Sequence, residues 1–243
     1  TTKSVSIPLV NDSADEDDET FTVTLSSANN ATISTATATA TITDDDAPPA
    51  LSIQSVSVAE NAGTASLNVT LDAASEKTIT VDYVSSAGTA CHCSSDFAAI
   101  SSTTLTFTAG QTSKTISATI SDDSVDEMDE TFDITLSNAS NATIAVATGT
   151  VTITDDDPAP TISINDVTTA DEAAASTNLV ATLSAASEKT VTVDFATSDG
   201  TATASNDYTA ATGTLTFAAG ETTKNISIAV LADAFDEVDE TVT

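Results

Sequence analysis

Carboxylate side chains recur along this chain of 243 residues in four kinds of position. These are a lone Glu, a lone Asp directly before an aromatic residue, a loop dense in Asp and Glu, and a run of three Asp. Carboxylates gathered in one place repel one another, and physiological salt screens that repulsion only partly. A hard divalent cation offsets the repulsion, and calcium takes about six to eight oxygen ligands, often from loop carboxylates. The pattern predicts calcium sites, with a merely solvated acidic surface as the alternative.

Other site chemistries fit these residues poorly. Magnesium prefers few carboxylates and several waters, and softer metals require His or Cys, which the acidic runs lack. A glycosidase needs two carboxylates that flank a sugar cleft, yet here the acids recur in every repeat and aromatic residues make up only 4% of the chain. An active site is normally unique, whereas a structural site repeats. We therefore expect no enzyme.

The overall composition excludes further classes of function. Asp and Glu number 37 against five basic residues, all lysine, for a formal net charge of -32. Nucleic-acid binding requires a basic face, which five scattered lysines do not form. No run approaches the roughly 18 apolar residues of a membrane span. A hydrophobic fraction of 40% is nevertheless too high for a disordered acidic tail, so the chain is expected to fold.

The elements that position the acids are repeated. The Thr-Asp-Asp-Asp run at 43–46 returns at 154–157, and Ser-Glu-Lys-Thr at 75–78 returns at 187–190. A fixed period of 111 to 112 residues indicates a tandem array. The chain is expected to be a segment of a longer array. In the alternative, the half-repeats at its two ends complete each other between identical chains, head to tail. The predicted divisions are the C-terminal half of a repeat (1–46), a linker (47–50), a complete repeat (51–157), a linker (158–160) and the N-terminal part of a third repeat (161–243).

Within each repeat, apolar and hydroxyl residues alternate. Leu67, Val69 and Leu71 are interleaved with Ser, Asn and Thr, as half-buried antiparallel strands require. About seven short strands per roughly 110 residues are typical of an immunoglobulin-like sandwich. The predicted fold is all-β, with tandem immunoglobulin-like Greek-key sandwiches in an elongated array. Phe107 and Phe217 are expected in the core, and Gly110 and Gly220 at turns with positive φ.

Five motifs of the complete repeat belong together. They are Glu-Asn-Ala-Gly at 60–63, Gly-Thr-Ala with Ser-Asp-Phe at 88–97, Leu-Thr-Phe-x-x-Gly at 105–110, Asp-Asp-x-x-x-Glu-x-x-Glu-Thr-Phe at 122–132 and Thr-Ile-Thr-Asp-Asp-Asp at 152–157. In combination they resemble a Calx-beta domain. That family occurs in regulatory loops of sodium–calcium exchangers, in an integrin subunit and in long repeat proteins of bacterial surfaces. The resemblance implies calcium bound at the end of each sandwich, where it stiffens the junction to the next domain.

The resemblance also implies a ligand set. In the complete repeat it comprises Glu60, Asp96, Asp122, Asp123, Glu127, Glu130, Asp155, Asp156, Asp157 and the carbonyl of Val125. The third repeat contributes Glu172, Asp207, Asp233, Glu237 and Glu240. The first half-repeat contributes Asp12, Glu16, Glu19, Asp44, Asp45 and Asp46. Asn11 and Ala232 replace acids of the pattern, so the repeats are not expected to hold equal numbers of ions.

The functional hypothesis is a calcium-stiffened rod or filament, structural or adhesive, outside the cell or on its surface. Its partners are expected to be neighbouring repeats or identical chains, and an adhesive ligand cannot be named from the sequence. The alternative is a calcium-sensing regulatory module of a larger membrane receptor or transporter. Cys91-His92-Cys93 is a loop oddity whose spacing matches no zinc or haem pattern. An inert exposed loop, a disulfide and a metal site all stay open for it.

Overall fold

The computed structural model describes residues 1–90, 96–168, 174–232 and 239–242. Predictions on Cys91-His92-Cys93, Glu172, Asp233 and Glu237 fall outside these ranges. The chain divides into two compact units, one of Thr1–Ser121 with Glu130–Ile153 and one of Asp122–Asp129 with Thr154–Thr243. Within the described ranges, helical structure is limited to one short 3-10 turn, and no helix is long and apolar enough to cross a membrane.

The first unit begins with a two-stranded hairpin. Strands β1 (Glu19–Thr24) and β2 (Thr37–Ile42) pair antiparallel, with Phe21 opposite Ala40. Alternating Thr and apolar residues suit a pleated ribbon, but one ribbon buries little apolar surface. Leu25, directly after β1, is 59% exposed. The hairpin therefore holds its acidic loop and its Asp triplet at one end without forming a core of its own.

The same unit contains a β-sandwich of two sheets. Its described strands are β3 (Ala50–Ile53), β4 (Val56–Ala59), β5 (Thr64–Leu71), β6 (Ile79–Ala87), β7 (Thr103–Phe107), β8 (Ser113–Thr119), β9 (Glu130–Ser140), β10 (Thr143–Val146) and β11 (Thr148–Thr154). One sheet has the order β10-β3-β5-β8 and the other the order β4-β11-β9-β6-β7. Among the inward residues of the two sheets, Leu67, Val81, Phe107 and Phe132 are at most 1% exposed, and Ile53 and Leu71 at most 6%. The predicted alternation of buried and exposed positions is thereby confirmed in β5.

The sandwich has more strands than the sequence predicts. About seven were expected, and its described residues form nine. The first edge segment breaks at Gln54 and Ser55 and changes sheets, so that β3 pairs with β5 while β4 pairs with β11. The short strand β10 adds to the outer edge of β3 in parallel. Strand β3 also begins at Ala50, within the segment expected to be a linker, because Ala50 pairs in parallel with Thr143 of β10; its N–H donates to Asp72 Oδ1 at 2.7 Å.

The described residues of the second unit form a smaller pair of sheets. Its strands are β12 (Ile162–Ile164), β13 (Ser176–Leu183), β14 (Val191–Ala196), β15 (Thr212–Phe217) and β16 (Thr223–Ala229). One sheet has the order β12-β13-β16, and the other pairs β14 with β15. Phe217 is fully buried, and so is Phe107 in the first unit, which confirms both as core residues. Gly110 and Gly220 have φ of 76° and 78°, as expected at these turns.

Candidate metal centre

In the first unit, the Asp triplet folds onto the acidic loop. The Asp44 carboxylate accepts the N–H of Asp46 at 3.2 Å on Oδ1 and the N–H of Glu16 at 3.2 Å on Oδ2. Asp18 Oδ1 accepts the Asp44 N–H at 3.1 Å. A cleft at this end of the hairpin is lined by Asp12, Glu16, Asp17, Glu19 and all three residues of the triplet, together with Val10, Asn11, Ile42 and Thr43. Loop and triplet thus bring their carboxylates together.

The second unit builds the same arrangement again. The Asp157 N–H donates to Asp155 Oδ1 at 3.2 Å, and the Asp155 N–H donates to Asp129 Oδ1 at 3.3 Å. The two acidic loops that the structure describes open with the same local turn, since Val125 N–H donates to Asp123 Oδ1 and Ala14 N–H to Asp12 Oδ1, at 2.7 and 2.9 Å. The side chains of Asp18 and Asp129, which the predicted ligand set omits, hold the main chain of their triplets in place.

Burial and charge both act on the last Asp of each triplet. Burial first, and then repulsion from the other two Asp of its triplet, raises the pKa of Asp157, and the same causes raise the pKa of Asp46. Within the part of the chain that the structure describes, Asp157 Oδ2 is a buried side-chain oxygen without a hydrogen-bond partner. A buried, unpartnered carboxylate oxygen among like charges is costly unless a cation meets it. These oxygen-only groups fit a calcium ion.

An aromatic stack anchors the neighbouring acids of the first unit. The rings of Phe97 and Phe132 are parallel to within 4°, with centroids 3.9 Å apart, and both side chains are buried. Asp96 directly precedes one ring, and Glu130 lies two residues before the other. Carboxylate oxygens of Asp96 and Glu130 lie within 4.8 Å of each other, close enough to share one ion. In the second unit, oxygens of Asp155 and Asp157 are equally close.

The remaining predicted ligands occupy varied surroundings. Glu60 begins the 3-10 turn Glu60–Ala62 and is only 6% exposed, although it is acidic. Asp207 Oδ2 accepts the N–H and the hydroxyl of Thr203, at 2.6 and 3.1 Å, and thereby orders its own loop. The residues Asp45, Asp122, Asp123, Asp156 and Glu240 are exposed, while Glu127 is half-buried. The structure therefore places a buried carboxylate at Glu60 and exposed ones at the tips of the acidic loops.

Sequence reasoning missed a cationic partner of the triplets. In the first unit, Lys77 Nζ lies 2.8 Å from Asp15 Oδ1 and 3.5 Å from Asp44 Oδ2. In the second unit, Lys189 Nζ lies 2.7 Å from Asp126 Oδ1 and 3.0 Å from Asp155 Oδ2. The signal in the sequence is the Ser-Glu-Lys-Thr block, which recurs with the same period as the acidic loops. It indicated the repeat but not the contact between lysine and triplet.

The Calx-beta domain model matches residues 1–46, 50–157 and 155–243. The chain belongs to the Calx-beta domain family. The members of this family bind calcium, and the predicted all-β, immunoglobulin-like fold class is confirmed. Among curated proteins, none matches the chain.

Several solved structures are similar to this Calx-beta chain. The crystal structure of CBD12 from CALX1.2 shares 29% identity over 79% of this chain and 78% of its own, with a TM-score of 0.43. The calcium binding domain CBD12 of CALX1.1 shares 29% identity over 73% and 74%, with a TM-score of 0.43. The apo-form Calx CBD1 domain shares 30% identity over 45% of this chain and 98% of its own, with a TM-score of 0.42.

The raised pKa values predict an unusual response to acid in the absence of calcium. A carboxyl whose pKa is higher in the folded than in the unfolded chain takes up a proton on folding, so stability rises as the pH falls through the folded pKa toward the ordinary value, which is 3.8 for Asp and 4.5 for Glu. Asp157, Asp46 and Glu16 are of this kind. We therefore expect the melting temperature in chelator to increase as the pH falls from neutral toward these ordinary values.

Lys189 and Ser187 set the lower end of that window. Their hydrogen bonds lower the pKa of Asp126, so the stability that Asp126 contributes is present above pH 3.8 and is lost as the pH falls through its depressed folded value. In saturating calcium this trend below neutral pH should reverse, because protons compete with the ion for the same oxygens. Thermal melts across this range, with chelator and with calcium, test both statements. A steady fall of the melting temperature from neutral pH in chelator would contradict the first.

Proposed function

We propose that this chain is a structural module of a calcium-stiffened extracellular rod or filament, with calcium bound at the acidic end of each repeat. The observation that carries this proposal is the recurrence, in both units, of the hydrogen bonds that join the Asp triplet to its acidic loop. Asp44 and Asp155 lie 111 residues apart in the chain and make the same hydrogen bond, to the N–H two residues ahead, at the same distance of 3.2 Å. A rod built from tandem repeats requires the same arrangement in successive repeats.

The proposed ligands follow the repeats. We assign Asp96 and Glu130 to one ion in the first unit, and Asp155 and Asp157 to another in the second unit. The first half-repeat supplies Asp12, Glu16 and its triplet, and the third repeat supplies Asp207 and Glu240. The raised pKa of Asp157 supports this assignment, and so does its Oδ2 atom, which has no hydrogen-bond partner among the described residues. A bound cation would offset the repulsion between the carboxylates and accept a lone pair from that oxygen.

Calcium also offsets the net charge. At -32, self-repulsion destabilises a compact chain, and each ion removes two negative charges where they are densest. Extracellular calcium, in the millimolar range, would fill sites of the ordinary affinity of extracellular modules, about 10⁻⁴ to 10⁻³ M. The prolines at 48–49, 158 and 160 suit short, stiff links between repeats. An adhesive role would add a ligand to the same rod.

The second candidate is a calcium-sensing regulatory module of a larger membrane receptor or transporter. Membership of the Calx-beta family is consistent with it, because the family occurs in regulatory loops of sodium–calcium exchangers. A sensor needs an affinity of about 10⁻⁷ to 10⁻⁵ M, far tighter than a rod does.

Calorimetric titration with calcium decides between the two functions. For a rod we expect dissociation constants of about 10⁻⁴ M or weaker and little response to magnesium. Constants in the micromolar range would instead support the sensor. Heat of dilution alone would refute calcium binding and both functions with it. The Asp157→Asn variant should weaken the binding, whereas Asp166→Asn, which removes an exposed carboxylate outside the acidic runs, should leave it unchanged.

A further inference from the structure

We propose that the Ser-Glu-Lys turn is a docking element that seats on the acidic loop preceding it in the chain, and that this docking holds without calcium. The structure contains the contact twice. Ser75 and Lys77 meet the loop of the first half-repeat, and Ser187 and Lys189 meet the loop at 122–129. Each pair of partners belongs to a single compact unit.

The main chain sets the register of the docked turn. Asp15 and Ser75 form a parallel β-bridge, as do Asp126 and Ser187. The N–H of Glu76 donates to the Asp15 carbonyl at 3.0 Å, and the N–H of Glu188 donates to the Asp126 carbonyl at 3.0 Å. These backbone hydrogen bonds hold each turn in a fixed register against its loop and do not depend on the exposed side chains. Because both copies have the same bridge and the same hydrogen bond, the two contacts have the same geometry.

The Ser hydroxyl completes a small buried network. Ser187 Oγ lies 3.0 Å from the Asp126 carbonyl and 2.6 Å from Asp126 Oδ2, and in turn accepts the Lys189 N–H at 3.0 Å. Ser75 makes the corresponding contacts with Asp15 and Lys77, at 2.8, 2.8 and 3.0 Å. All four Ser and Asp residues are at most 5% exposed. A buried hydroxyl with several partners is specific to the position, and Ala could not replace it without loss.

The lysine supplies the charge that makes the buried Asp tolerable. Asp126 is 5% exposed, and a carboxylate removed from water needs a close cation and hydrogen bonds. Lys189 Nζ meets it at 2.7 Å while its own side chain is about one-third exposed. This ammonium is covalently part of the chain, so the compensation does not depend on the calcium concentration. Docking is therefore expected in chelator as well.

The docking Asp is distinct from the proposed calcium ligands, but the lysine contacts both. Asp15 and Asp126 bind the turn and lie outside the ligand set, whereas Lys77 and Lys189 also reach the first Asp of the triplets. Lys224 differs, because its ammonium pairs at 2.6 Å with Glu221, which lies three residues earlier in the chain. The docking element is thus the combination of a Ser hydroxyl and a Lys ammonium two residues apart, presented to an acidic loop.

Amide hydrogen exchange of the full chain in chelator tests the proposal. The reporters are the Glu76 and Glu188 N–H groups, which donate across the two docking contacts. In the unmodified protein we expect both to be protected without calcium. Lys77→Gln should speed exchange at Glu76 by roughly tenfold and leave Glu188 unchanged, and Lys189→Gln should do the reverse. Ser75→Ala and Ser187→Ala should act in the same local way. Lys224→Gln removes an equal charge and should change neither reporter.

Exchange of the core amides of β5 and β13 shows whether a variant has lost its fold. If a Lys variant is unfolded, the Ser variant of the same turn is used to test the proposal. Exchange at the free-peptide rate in chelator, with protection only after calcium is added, would overturn the proposal. So would unchanged protection in both the Lys and the Ser variants. The outcome is separate from calcium binding, since a chain that ignored calcium in the titration could still show the docking contacts.

Discussion

Calcium at about one hundred times its dissociation constant is expected to raise the melting temperature by roughly 10 to 20 °C over that in excess chelator. One site filled to that level stabilises the folded state by about 2.7 kcal/mol. For a repeat of roughly 110 residues, each kcal/mol of added stability shifts the midpoint of thermal unfolding by about 4 to 8 °C. The shift is large because the ion replaces repulsion among the triplet carboxylates, which already raises the pKa of Asp157, with attraction. Calorimetric or circular dichroism melts measure it directly.

Charge-neutral variants identify the residues responsible for the calcium shift. Asp157→Asn should raise the melting temperature in chelator, because it removes one repelling carboxylate, and should reduce the gain on adding calcium. Asp166 is exposed and outside the acidic runs, so Asp166→Asn should leave the calcium gain as it is. Equal melting temperatures with calcium and chelator in the unmodified protein would mean that the acids are only a solvated coat. The function would then reduce to that of an acidic sandwich spacer.

Phe132→Ala should destabilise the first unit by about 3 to 5 kcal/mol. Phe132 is fully buried between the sheets and stacks on Phe97 at 3.9 Å, so truncation both leaves a cavity and removes the ring contact. The same stack positions Asp96 and Glu130, whose oxygens lie within 4.8 Å of each other. We therefore expect weaker calcium binding together with the loss of stability. Chemical denaturation in chelator gives the stability, and titration of the folded variant gives the affinity.

Met128→Ala is the matched control for Phe132→Ala. Met128 lies four residues earlier, in the acidic loop, and its side chain is 71% exposed, so truncation should change stability by less than about 0.5 kcal/mol. If both variants were equally stable, the aromatic stack would not be the anchor of the acidic residues. If Phe132→Ala lost stability but kept full calcium affinity, the ligands would be held by the loop's own hydrogen bonds instead.

Sequence patterns that are local proved sufficient for the architecture. The alternation of Leu67, Val69 and Leu71 predicts β5 because the side-chain period of a strand is two residues, whatever the rest of the chain does. Turn glycines such as Gly110 follow from backbone sterics at one position. The recurrence of Asp triplets at a spacing of 111 residues predicts the repeats, and the absence of His and Cys from the acidic runs narrows the metal to a hard cation.

Strand boundaries were less accessible. The change of sheets between β3 and β4, and the parallel addition of β10 to β3, depend on pairing with strands far away in the chain. An edge segment carries the same alternating pattern whichever sheet it joins, so alternation cannot locate the break. For the same reason, the sequence placed Ala50 in a linker although its N–H is bound by Asp72 from another strand end.

The sequence by itself determined the fold class, the repeat and the kind of ion, because each rests on residue types at regular spacings. Only the tertiary structure shows which acids have a cationic partner. Asp126 and Asp157 are the same residue type in similar acidic runs, yet Asp126 pairs with Lys189 and accepts the Ser187 hydroxyl, whereas Asp157 Oδ2 is buried with no hydrogen-bond partner among the described residues. Lys189 follows Asp126 by 63 residues, and the energy of a charge depends on its neighbours in space rather than in sequence.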